Sequence, residues 1–178
     1  MLLEQELRQT IREIPDFPQK GVLFKDITPV LLKPRLVERC VEELARQFRV
    51  RDITKVVGIE SRGFLLGPMI AQQLGAGFVI VRKKGKLPEV AASISYELEY
   101  GSATVEIAKD AIFPGDEVLI HDDLLATGGT AAATAKLVQQ IGAKLAGFGF
   151  LISLEGLGGR KALESFGVPI VQLVSYAR

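Results

Sequence analysis

The chain has one cysteine, one histidine and no dominant charge among its 178 residues. A lone Cys40 cannot close a disulfide within the chain and leaves no paired thiolates for a metal or a dithiol redox centre, so a reducing cytoplasm is the expected compartment. Cys40 itself falls in the apolar stripe of a helical pattern and reads as packed core. The only histidine, His121, comes with no serine or cysteine nucleophile motif, which argues against covalent catalysis through it. With 22 Lys plus Arg against 21 Asp plus Glu the net charge is +1, so no nucleic-acid face is expected and a polyanion would have to find a local basic cluster. The opening MLLEQELRQT carries acids and no long apolar stretch, so neither a secretory signal nor a membrane span is expected. Also missing are a Gly-x-x-x-x-Gly-Lys-Ser/Thr phosphate loop, a complete Gly-x-Gly-x-x-Gly fingerprint and a His-Glu-x-x-His zinc helix.

Hydrophobic residues make up 48% of the chain, enough for a single domain over residues 1–178 to bury a substantial core. Leu3, Leu7, Ile11 and Ile14 recur at helical spacing and predict an amphipathic first helix ended by Pro15, packed on its own domain or at a subunit interface. Residues 15–34 hold four prolines and one glycine, which excludes a long helix. Yet Val22, Leu23, Phe24, Ile27, Val30, Leu31 and Leu32 are too apolar for a solvated linker, so residues 1–33 are expected to form a first helix and a hood folded over something. Phe24, followed by Lys25 and Asp26, could set an aromatic face and backbone groups against a flat ligand; an ordinary core phenylalanine is the alternative. Pro34 then opens a helix through about Phe48, with Leu36, Val37, Cys40, Val41, Leu44 and Ala45 as its buried stripe.

The chain is organised around residues 117–130, EVLIHDDLLATGGT. An apolar run with the look of a buried parallel strand would deliver Asp122 and Asp123 to the carboxyl edge of a sheet, where open α/β folds bind ligands. A strand turns His121 to the face opposite Asp122. Ala126, Thr127, Gly128, Gly129 and Thr130 then combine small side chains, hydroxyls and free N–H groups at a helix start, which makes an anion cradle. Acids beside an anion cradle repel phosphate unless they are aimed at another part of the same molecule. A phosphorylated sugar satisfies both, its phosphate in the turn and its hydroxyls donating to the carboxylates. A helix cap would need only one acid, and a plain turn only one or two glycines.

A second strand-to-helix junction follows the run ITKVVGI and places Glu60, Ser61, Arg62 and Gly63 on the same edge, ahead of a helix to Leu74. A guanidinium there can grip a diphosphate with paired hydrogen bonds. A third strand over residues 77–81 ends in RKKGKLPE, where Arg82, Lys83, Lys84 and Lys86 concentrate positive charge around a glycine, as a mobile basic arm or a solvated turn. Residues 104–108 alternate like a partly exposed strand, residues 145–151 and 167–173 read as further strands, and a helix runs from Gly128 to Ile141.

Four blocks carry a resemblance. The stretch at 117–130 resembles the signature loop of the type I phosphoribosyltransferases. FPQKGVLFKDIT resembles the base-binding hood of the adenine phosphoribosyltransferases, ESRGF their pyrophosphate loop, and SISYELEYG their flexible catalytic loop. The resemblance implies a mostly parallel central sheet with helices on both faces, plus the N-terminal hood. It also implies transfer of ribose 5-phosphate from phosphoribosyl pyrophosphate to adenine, giving AMP and pyrophosphate in purine salvage. By it, Phe24 stacks on adenine and the main chain at Lys25 reads its edge; Arg62, Lys83 and Lys86 meet the pyrophosphate. Asp122 and Asp123 hold the ribose hydroxyls beside the developing positive charge. Glu99 and Tyr100 inherit the catalytic-loop role, and Leu154 or Leu157 closes the other face of the base. Magnesium is expected on substrate and water oxygens, with no dedicated protein metal site, and the assembly is expected to be a homodimer. Another nucleobase as acceptor, or a non-catalytic sensor of the donor on the same fold, are the alternatives; the latter would usually lose the catalytic loop or add a basic extension, and this chain does neither.

Overall fold

The computed structural model describes residues 1–97 and 101–177. The expected catalytic pair Glu99 and Tyr100 lies outside them. Among the described residues fifteen elements follow in order: α1 (Leu3–Thr10), β1 (Arg12–Pro15), β2 (Leu23–Asp26), α2 (Thr28–Leu31), α3 (Pro34–Arg46), β3 (Lys55–Ile59), α4 (Gly63–Leu74), β4 (Gly77–Lys83), β5 (Val90–Glu97), β6 (Ser102–Ala108), β7 (Glu117–Leu125), α5 (Gly129–Gln140), β8 (Lys144–Leu154), α6 (Gly159–Glu164) and β9 (Ile170–Tyr176).

Among the described residues, seven strands form one sheet in the order β5-β6-β4-β3-β7-β8-β9. The five from β4 to β9 are mutually parallel, and the hairpin of β5 and β6 adds antiparallel to β4. The chain leaves β3 for β4 on one side and later returns as β7 on the other. That reversal opens a crevice beyond the carboxyl ends of β3 and β7, where ligands bind in open α/β sheets.

The two-residue period of the strands sorts their side chains into two cores. Val56 and Leu119 face α3 and α4 with Leu36, Cys40, Leu44, Phe48, Leu66 and Ile70. Val57, Val118 and Ile120 face α5 with Ala131, Ala135, Leu137 and Val138. Both faces of the sheet are thus covered by helices, as the apolar runs require. α4 lies very close to β7, for a Cβ at Gly63 would stand 2.7 Å from the His121 carbonyl oxygen. Glycine at this helix start is what permits the approach.

Several boundaries differ from expectation. The first helix stops at Thr10, and Ile14 sits in β1 opposite Phe24 of β2. Apolar spacing alone could not separate a helix from a short helix followed by a strand, because Leu3, Leu7 and Ile11 fit both. The hood is therefore a two-stranded antiparallel sheet capped by the short α2. β6 is less exposed than its alternation suggested, since it is flanked by β5 and β4, and Val105, Glu106 and Ile107 are buried. Residues 93–97 of the expected loop are strand β5, and Arg82 and Lys83 of the expected arm belong to β4. The last strand begins at Ile170, because Gly167, at a φ of +66°, still belongs to the turn after α6. No helix among the described residues is long and apolar enough to cross a membrane.

Candidate active site

β3 ends its pairing with β7 at Gly58 opposite His121, so Asp122 and Asp123 project just beyond their neighbour strand while β8 still supports them. Residues 60–62, which leave β3, cross the same gap. Phe24, Glu60, Ser61, Arg62, Lys83, Lys86, Asp122 and Asp123 together line a cavity of about 430 Å³. Behind it a smaller chamber of about 210 Å³ shares Glu60, Lys83 and Asp122 and adds Arg82, Tyr96 and Thr130. An apolar groove of about 410 Å³ against α3 and α4, lined by Leu31, Pro34, Val37, Val41 and Met69, lies away from this edge and lacks convergent charged groups.

Arg62 is the hinge of the front cavity. Its guanidinium carbon stands 5.1 Å from the centroid of the Phe24 ring, and its Nε lies 2.9 Å from Asp123 Oδ2. That ion pair lacks hydrogen-bond alignment, so Asp123 Oδ2 is buried with a charge partner and without a hydrogen bond. Phe24 is half-buried and meets Phe17 edge-on at 5.1 Å. Lys25 behaves differently. Its side chain is 4% exposed, pairs with Glu13 and lies with Nζ 3.9 Å from the Tyr176 ring centroid, on the far side of the hood. Its side chain is thus engaged within the hood, and Lys25 lines neither cavity.

On the opposite wall the basic residues are gathered by Glu60, which was not among the expected ligand-binding residues. Lys86 Nζ donates to its Oε1 at 2.8 Å, the Lys83 amide to Oε2 at 2.9 Å, and Arg82 approaches both oxygens at 3.3 and 3.4 Å. Burial alone would raise the Glu60 pKa, but these donors overcome it and hold the carboxyl at about 2. Lys86 is therefore tethered in this structure rather than loose. An acid at the carboxyl end of one strand, with a basic run ending the next strand on the same edge, was the signal that could have marked Glu60.

The acid pair is pushed the other way. Burial raises Asp122, and the neighbouring Asp123 charge raises it further; burial also raises Asp123, against the opposing pull of Arg62. Asp122 Oδ1 accepts from the Asp123 amide at 2.9 Å. The pair holds a proton more readily than free carboxyls do, and hydroxyl donors that favour the ionised form would release it.

Beyond β7, Ala126 and Thr127 lead to Gly128, whose φ of +80° turns the chain into α5. Gly129 and Thr130 open that helix, and no side chain caps it, so its first N–H groups are available to an anion. A side chain at Gly128 would have its Cβ 2.8 Å from the Gly159 carbonyl oxygen, so the turn is pinned by α6 as well. Thr130 lines the rear chamber, whereas Ala126, Thr127, Gly128 and Gly129 line neither cavity. Leu154 packs on the core and Leu157 is half-buried; neither lines a cavity wall.

Among the described residues no three histidine, cysteine or carboxylate side chains converge as a metal cage. His121 is fully buried, with Nδ1 2.9 Å from the Gly149 carbonyl oxygen, and points away from the cavity.

The Phosphoribosyl transferase domain family matches residues 31–166. The adenine phosphoribosyltransferase of Synechococcus sp. is 54% identical over 171 residues, covering 96% of this chain and 99% of its own. The crystal structure of the adenine phosphoribosyltransferase from Rhodothermus marinus superposes with a TM-score of 0.93 at 55% identity, covering 98% of each chain. That of Saccharomyces cerevisiae, complexed with an imino-altritol bisphosphate and adenine, superposes with a TM-score of 0.89 at 43% identity over 96% of this chain and 98% of its own. A parallel sheet with its crevice at the β3/β7 switch point, the hood above it and an uncapped helix start beside two acids agree with these matches along the whole chain: it belongs to the adenine phosphoribosyltransferases of the type I phosphoribosyltransferase family.

Proposed function

We propose that the front cavity and its rear chamber are the site of this family's reaction in this chain, and that its residues divide the substrates as follows. The chain transfers the 5-phosphoribosyl group from phosphoribosyl pyrophosphate to adenine, giving AMP and pyrophosphate. In that reaction the bond from the ribose anomeric carbon to the pyrophosphate oxygen breaks, a bond to an adenine ring nitrogen forms, and that nitrogen loses its proton. The anomeric carbon becomes cationic on the way, so catalysis is chiefly positioning and charge management.

The observation that carries the assignment is the convergence of Phe24, Arg62, Lys83, Lys86, Asp122 and Asp123 on one cavity, with Arg62 beside the acid pair and the two lysines gathered by Glu60 across from it. Ala126, Thr127, Gly128, Gly129 and Thr130 take the ribose phosphate on the start of α5. Asp122 and Asp123 accept from the ribose hydroxyls and face the developing positive charge. Arg62, Lys83 and Lys86 meet the departing pyrophosphate, the two lysines by exchanging the Glu60 carboxylate for phosphate oxygens. Phe24 offers its ring to adenine, and Arg62 moves off that ring when the base arrives. The main chain at Lys25 reads the edge of the base. Glu99 and Tyr100, just past β5, serve the base and its proton.

Magnesium suits this site as an ion carried by substrate phosphate and water oxygens, the hard ligands it prefers. When bound it neutralises charge on the leaving pyrophosphate. The hood that carries Phe24 keeps water from the cationic sugar. The whole chain works as one domain in the cytoplasm, as a homodimer, on free adenine and the sugar donor and without a nucleic-acid or membrane partner. The experiment is pyrophosphate release from the donor with adenine, hypoxanthine, guanine, xanthine or orotate as acceptor, with and without magnesium. Adenine should be strongly preferred and magnesium required; comparable turnover of another base would overturn the acceptor assignment.

A further inference from the structure

The rear chamber contains a contact that the division above does not use. The Tyr96 hydroxyl on β5 lies 2.9 Å from Thr130 Oγ1 on the first turn of α5. The same ring covers Gly129, where an added Cβ would sit 3.6 Å from it. Thr130 is further held through its carbonyl, which accepts from the Thr134 hydroxyl at 2.8 Å. Both Tyr96 and Thr130 line the chamber alongside Asp122.

We infer that Tyr96 is a positioning residue for the sugar phosphate, orienting the Thr130 hydroxyl and coupling occupancy of the phosphate turn to the end of β5. This rests on the proposal that the turn at 126–130 takes the ribose phosphate. Within this contact either hydroxyl can donate to the other. A phosphate oxygen can only accept, so its arrival forces Thr130 to donate to it. The Thr130 oxygen is then free to accept, and Tyr96 must become the donor. The hydrogen-bond chain Tyr96 to Thr130 to phosphate acquires one direction, and each bond polarises the next. Tyr96 stands three residues before Glu99 in the chain. A fixed Tyr96 therefore anchors the end of β5.

The test uses ribose 5-phosphate as the probe, by calorimetry, beside steady-state kinetics. Tyr96→Phe should weaken ribose 5-phosphate binding and raise KM for phosphoribosyl pyrophosphate by roughly three- to tenfold, the range of one hydrogen bond, with KM for adenine unchanged. The effect should persist in a Thr130→Ser background, which keeps the hydroxyl, and vanish in Thr130→Val, which lacks it. Amide exchange at residues 93–97 should slow on ribose 5-phosphate binding in the wild type and not in Tyr96→Phe. An equal loss in the Thr130→Val background would mean that Tyr96 acts by packing alone and would overturn the inference. So would wild-type binding and KM in Tyr96→Phe, or a wild type that does not bind the probe. Calorimetry needs no turnover, so a wild type that binds ribose 5-phosphate but makes no AMP would sink the catalytic reading and leave the Tyr96 comparison intact.

Discussion

His121 makes the sharpest stability prediction. It lies in the middle of the sheet, opposite Gly58 of β3 and Gly149 of β8, with none of its surface exposed. Its Nδ1 must carry a hydrogen, because its partner at 2.9 Å is the Gly149 carbonyl oxygen, and Nε2 is left buried without any partner. A proton added at Nε2 would be a charge in an apolar layer. Burial accordingly lowers the pKa from 6.5 to about 4, and the Gly149 contact opposes this only in part. The folded-state pKa lies below the unfolded one, so between the two values the unfolded chain binds a proton that the folded chain refuses. Stability from this group is complete above about pH 6.5 and is lost as pH falls toward 4. At 1.36 kcal/mol per pKa unit the full loss is about 3 kcal/mol, and at pH 4.5 it is already about 2.5 kcal/mol. For a chain of this length that is roughly 5–10 °C of melting temperature.

The perturbation is His121→Leu. At pH 7.5 it loses one hydrogen bond and also removes the orphaned Nε2, so the two effects largely offset and stability should stay within about 1 kcal/mol of wild type. At pH 4.5 the variant should be the more stable by about 2.5 kcal/mol relative to that baseline. Urea unfolding followed by circular dichroism at both pH values measures this, and comparing the two proteins removes the contribution of carboxylates that titrate in both. Parallel losses of stability in wild type and variant would refute the argument, because the acid lability would then belong to other groups.

Replacing both acids, Asp122→Asn with Asp123→Asn, should abolish AMP formation while leaving the fold intact by circular dichroism; retained turnover would end the ribose assignment. In the wild type, because burial raises both carboxyls, kcat/KM for the donor should climb with pH through the pair's elevated range and then level off. Phe24→Ala should raise KM for adenine far more than KM for phosphoribosyl pyrophosphate, by an amount near the 1–3 kcal/mol of a stacked base, or roughly five- to 150-fold. An equal effect on both substrates would make Phe24 an ordinary core residue.

Much of this molecule follows from local sequence. Apolar runs too continuous for a one-sided sheet require helices on both faces, and the core residues sort accordingly, Val56 to one side and Val57 to the other. The ligand edge is equally local, since a strand ending in two acids and a glycine-rich helix start can stand only at the carboxyl side of a parallel sheet. Other features depend on partners distant in the chain. Ile14 is a strand residue because Phe24 is across from it, and β7 runs past the acids to Leu125 because β8 continues beside it. Glu60 gathers Lys83 and Lys86 from more than twenty positions away, and Tyr96 reaches Thr130 across 34. The sequence by itself, through its resemblance to the family, named the chemistry this chain carries, because the motifs behind that resemblance each lie along one strand or turn. Only the tertiary structure decided which groups share a charge or a hydroxyl, and so where carboxyls are raised or lowered, because those energies depend on distances and burial that no single stretch of the chain contains.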